Sequence, residues 1–196
     1  MSGESSSIAG AGYHQCDVSA SDRCVFFTDS QRKLVVSALA EAEERTSGYY
    51  CIPPRHWQRL RYDLITGADL GWEPLPEMAL ARVQQVGQIN AGKRAPLDFF
   101  RIQLNDPSIL NAARREKLEL NIYPFLVYII THEMVHLVRL ATILDSAQNP
   151  PCSAEVEEER VERISRQILS RIGGEYFKPV FERFRLPAFA DCGSRG

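Results

Sequence analysis

Residues 122–144, IYPFLVYIITHEMVHLVRLATIL, constrain this chain more than any other segment. The run is largely apolar on every side of a helical wheel, and a helix of that kind has to be buried. Its 23 residues also match the length that crosses a bilayer. Against the bilayer stand His132, Glu133, His136 and Arg139, ionisable groups that are costly among lipid tails. The chain offers no second hydrophobic span to shield them. The expectation is therefore a central buried helix, from about residue 123 to 145, in a domain that does not contact a membrane. Its ionisable side chains then need partners.

The rest of the composition fits one such domain. The chain has 196 residues, 44% of them hydrophobic, enough for a core without disulfides or a metal to staple it. A formal charge of −2 gives no pull toward nucleic acid. Five scattered cysteines without a CxxC pair read as reduced thiols, and the start, MSGESSSIAGAG, has neither the basic nor the apolar region of a signal peptide. Both readings point to the cytoplasm. Residues 1–27 read as an N-terminal segment flexible in part, 28–185 as the domain, and 186–196 as a tail.

Local patterns predict an α+β fold, a small antiparallel sheet packed on helices. A capped helix is expected over 31–46, a short strand at YYCI (49–52) and a helix over HWQRLRYDLIT. Two strands follow, MALARVQQV (78–86) and PLDFFRIQL (96–104), joined as a hairpin. Asp106 and Pro107 start a helix to about Leu120, with Asp106 as N-cap. After the central helix, QNPPCS breaks the chain. Ser153 then caps AEVEEERVERISRQILSRI, and EYFKPVFERF forms a last short helix.

Within the central helix His132, Glu133 and His136 form HExxH. Residues four apart share one face of a helix, so both imidazoles can reach one metal ion. Glu133, about 100° round the helix, stands beside that ion without being a ligand and can take a proton from water. A hydrolytic zinc site wants three protein ligands, and no histidine follows His136. The third ligand therefore comes from elsewhere, and the next helix offers Glu155, Glu157, Glu158, Glu159 and Glu162. On its wheel Val161, Ile164, Ile168 and Ile172 form an apolar stripe. Glu157 and Glu158 flank the stripe, Glu155 and Glu162 lie near its border, and Glu159 points away. A reversal centred near residue 149 would set residue 162 opposite His136. Together these arguments favour Glu158, then Glu157, then Glu162. Arg139, on the stripe of the two histidines, is expected to pair with one of these carboxylates or with Asp145 and so support the site.

HEMVH followed by a glutamate on the next helix resembles the gluzincin branch of the zincin metallopeptidases, over about residues 95–172. In zincins of the type that cleave phage repressors, the ligand glutamate stands three residues before a small core position. The spacing of Glu158, Val161, Ile164 and Ile168-Leu169 is similar. The spacing of single-metal aminopeptidases would select Glu155, but their GxMEN motif is absent. The resemblance implies a zincin-like domain holding one zinc ion and hydrolysing peptide bonds of a peptide or protein substrate, with Glu133 as general base. It also implies a strand beside the cleft, whose equivalent is DFFRIQL with an exposed edge for an extended peptide. A tyrosine or histidine often supports the transition state in such enzymes. His56, Tyr49, Tyr50, Tyr123, Tyr128 and Tyr176 are the candidates. Cys16 or Cys24 would be able to cap the metal as an inhibitory thiolate. The alternative is a catalytically inactive zincin-like domain that binds zinc and a partner.

Overall fold

A computed structural model describes residues 26–69, 73–76, 78–89, 97–141, 153–171 and 173–184. Cys16, Cys24 and the tail expected at 186–196 lie outside these described residues. Helix α1 (Asp29–Tyr49) starts at Thr28, whose side chain and that of Gln31 satisfy each other's backbone in a capping box. It runs through the expected YYCI strand as far as Tyr49. The chain then turns at Cys51, which has a left-handed φ of 53°. The expected helix HWQRLRYDLIT is divided. One helical turn, α2 (Pro54–Trp57), is followed by strand β1 (Arg61–Ile65). Tyr62, Leu64 and Ile65 suit a pleated, half-buried surface, and a partner strand decides the conformation where local pattern was ambiguous.

That partner is β3 (Leu97–Leu104), which lies between β1 and β2 (Ala81–Ile89) in the order β1-β3-β2. The β2–β3 pair is the expected antiparallel hairpin, but β1 runs parallel to β3. The sheet is therefore mixed, not antiparallel. Parallel pairing is available to β1 because the chain lays β2 down before returning along β3. The edge of DFFRIQL expected to be open is instead covered on both sides, and β2 takes the outer position. Between Gln85 and Gly87 the β2–β3 register shifts, which leaves Val86 without a partner in a β-bulge.

Helix α3 (Asp106–Arg115) is capped by Asn105, whose side chain accepts the Ser108 N–H, so the cap lies one residue before the expected Asp106. It ends at Arg115, short of Leu120, and a 3-10 turn (Glu119–Asn121) leads into α4. Asp106 is fully buried, with its oxygens accepting the backbone N–H groups of Phe27 and Gly67 at 3.0 Å each. It thereby ties the entry to α1 to the end of β1. Helix α4 (Ile122–Leu140) is the core, with 14 of its 19 residues buried, as an all-apolar helix demands. It packs against α1, α5 (Ala154–Arg171), α6 (Gly174–Arg183) and β2. No helix among the described residues is long and apolar enough to cross a membrane.

Candidate metal centre

Two helices build the site. On α4, His132 and Glu133 are buried, at 2% and 5% exposure, while His136 one turn on is part-exposed. On α5 the inward face is Glu158, Val161, Ser165, Ile168 and Leu169. At 100° per residue this stripe is turned about 40° from the one expected through Ile164, toward Glu158. That rotation places Glu158, 8% exposed, within the buried face.

The consequence is convergence. His132 Nε2 and His136 Nε2 lie 3.1 Å apart, and Glu158 places one carboxylate oxygen 2.8 Å from the first and the other 3.2 Å from the second. A tetrahedral zinc with bonds of about 2.0–2.1 Å holds its ligand atoms about 3.3 Å apart, so the donor set and spacing fit such an ion. Two imidazole nitrogens and a carboxylate also match its chemistry. Among the described residues this is the one such group of three. Its open side is at His136, whose side chain is 21% exposed against 10% for Glu158 and 2% for His132.

Charge is balanced within the site. Burial by itself would lower the His132 pKa, but the carboxylates of Glu158 and Glu162, with the charge of Glu133, outweigh it and raise the pKa to about 9. Burial likewise opposes ionisation of Glu158, yet the two histidines hold its pKa down to about 2. Glu133 is raised, mainly by burial. Opposing this are the two imidazoles and a backbone N–H donated by Val83 of β2.

The other glutamates take different places. Glu157 accepts the Arg139 guanidinium, through Nη2 at 2.8 Å and through Nε, so the α4–α5 pairing runs through Arg139. Glu162 lies beside His132, 3.7 Å from Nδ1, not opposite His136 as a reversal centred near residue 149 would require. Position 158 faces His136 instead. Glu162 is also held by the Tyr128 hydroxyl at 2.6–2.7 Å and by Arg166 Nε at 2.5 Å. Burial opposes its ionisation, but His132, Tyr128 and Arg166 prevail and lower its pKa. Glu155 and Glu159 are exposed.

The expected donors mostly face elsewhere. Tyr49 binds Gln167 and Tyr123 binds Glu41, while His56 and Tyr176 are exposed. Tyr50 has a buried hydroxyl without a hydrogen-bond partner among the described residues, within electrostatic reach of Arg139 and Glu157. Sequence reasoning missed two parts of the site. The support of Tyr128 and Arg166 for Glu162 was signalled by helical spacing, since Tyr128 lies four before His132 and Arg166 four after Glu162. The Val83 N–H is a backbone group and left no signal. Comparison of the chain with protein-family models, curated proteins and solved structures found no match.

Proposed function

We propose that this chain is a zinc-dependent metallopeptidase of the HExxH type, built on a zincin-like α+β domain and working in the cytoplasm on a peptide or protein substrate. One observation carries the reading. His132, His136 and Glu158 converge from two helices at an open face, and Glu133, which is not one of the three, stands beside them. His132, His136 and Glu158 would hold one zinc ion. When bound, such an ion supplies Lewis acidity that polarises a carbonyl and acidifies water.

The chain's own residues do the rest. Glu133 accepts the proton lost by the attacking water and delivers it to the nitrogen of the departing amine. Its burial raises the proton affinity of the carboxylate, which suits a group that must both take and give a proton. Glu162, 3.7 Å from His132 Nδ1, attracts the imidazole proton to that nitrogen, leaving Nε2 free to ligate. Arg139 and Glu157 fix the spacing of α4 and α5. The outer edge of β2, marked by the Val83 N–H directed at Glu133, takes the role expected of DFFRIQL and pairs with an extended substrate.

The test is metal analysis and cleavage of a broad peptide library by the wild-type chain and Glu133→Gln. The reading expects about one zinc per chain in both and cleavage by the wild type alone. Zinc retention with no cleavage by either would instead favour the inactive, partner-binding domain.

A further inference from the structure

We infer that Val86, at the bulge in β2, forms one wall of an apolar substrate subsite two or three residues from the bond that is cut. The inference rests on the peptidase reading and names a specificity determinant for it. Strict alternation along β2 would place Val86 with Arg82 and Gln84. That is the polar face of the sheet, where Arg82 reaches toward Gln103 and Arg101 forms a two-pronged ion pair with Asp63. The bulge takes Val86 out of that alternation and out of register with β3, on the one strand whose outer edge adjoins Glu133. Val86 is 42% exposed, an apolar side chain presented to solvent on an otherwise polar stretch of strand.

Room for a ligand side chain lies next to it. A Cβ added at Gly87 would meet no atom within 4 Å. At about 3.3 Å per residue, Val86 stands about 10 Å along the strand from Val83. An extended peptide paired with this edge, with its reacting carbonyl beside Glu133, therefore brings a side chain over Val86 two or three residues away. The bulge also interrupts the regular edge there, so backbone pairing gives way to side-chain contact. The class of substrate is an extended peptide with a large aliphatic or aromatic residue at that one position.

The experiment profiles zinc-loaded wild type, Val86→Ala, Val86→Asp and Gly87→Val against a positional-scanning peptide library. The wild type should prefer large apolar residues at a single position two or three from the cleaved bond. Val86→Asp should lower kcat/KM for those peptides about tenfold and shift the preference at that position toward Lys and Arg. Gly87→Val should shift it toward smaller side chains, with preferences at the other positions unchanged. Because Val86 is exposed and Gly87 adjoins open space, the thermal midpoints of all variants should match the wild type. Cleavage with unaltered preferences in every variant overturns the subsite and leaves the peptidase reading standing. No cleavage by the wild type, with no peptide retained on zinc-loaded Glu133→Gln, overturns both.

Discussion

The guanidinium of Arg139, near the end of α4, grips the carboxylate of Glu157, in the first turns of α5, with two nitrogens. The pair joins the helix carrying both histidines to the helix carrying Glu158. With side-chain exposures of 11% and 28%, it lies between the surface and buried limits for ion pairs. Arg139→Ala is expected to destabilise the fold by about 1–3 kcal/mol. Arg139→Lys should recover only part of this, because an ammonium cannot reproduce the planar fork. Urea denaturation of the three proteins gives the comparison, and equal midpoints for wild type and Arg139→Ala would refute the clamp.

Glu162 lies 3.7 Å from His132 Nδ1, on the far side of the ring from the three converging ligand atoms. Glu162→Gln should weaken zinc binding by about 10–100-fold, the usual effect of losing an outer group that orients a metal-ligating imidazole. Tyr128→Phe, which loses one of the donors that hold Glu162, should weaken it less. Competition against a chromogenic chelator measures both, and an unchanged affinity in Glu162→Gln would show that the carboxylate has no part in holding the imidazole.

The metal-free site should give the protein a distinctive pH dependence. His132 has its pKa raised from 6.5 to about 9, so its stabilising contribution is complete below pH 6.5 and is lost as pH rises through 9. Glu158 has its pKa lowered from 4.5 to about 2, so its contribution is present above pH 4.5 and is lost as pH falls through 2. These shifts belong to one interacting group. Their contribution in the stripped protein is greatest between about pH 4.5 and 6.5. Zinc needs the deprotonated imidazole, so the stabilisation it adds grows with pH. Thermal midpoints of chelator-treated and zinc-saturated protein should separate steadily from pH 6 to 9. The treated protein should remain folded, since 14 of the 19 residues of α4 are buried, most of them apolar. A gap that narrows with rising pH would contradict the balance of charges described for the site.

Asp106 bears on stability alone. Asp106→Ala would leave the Phe27 and Gly67 N–H groups without an acceptor, at a cost of about 2–4 kcal/mol. Asp106→Asn keeps one acceptor oxygen and should lose about half as much. Amide exchange at Phe27 and Gly67 should accelerate in both variants, more so in Asp106→Ala.

Some of this was legible in the residues alone. An apolar helix that contains HExxH has few ways to fold, and the i, i+4 spacing sets both imidazoles on one face whatever surrounds them. Arg139 among apolar neighbours likewise called for a carboxylate. The hairpin of β2 and β3 was visible in two apolar runs separated by turn residues. Segment 56–66 was misjudged because a short run mixing Tyr, Leu and Ile with arginines satisfies helix and strand patterns alike, and 49–52 because α1 runs on to Tyr49 before the turn at Cys51. What settles segment 56–66 is a backbone partner 38 residues away in the chain, as when Asp63 lies in register with Arg101.

The sequence by itself determined which side chains are available for metal chemistry and that two of them share a helical face, because helix geometry is local. Tertiary structure decided which glutamate meets them, since a modest rotation of α5 about its own axis exchanges one carboxylate for another. It also decided which strand faces the site. A sheet edge is defined by what pairs beside it, and β1, paired parallel to β3, left β2 with its bulge at Val86 as the edge that adjoins Glu133.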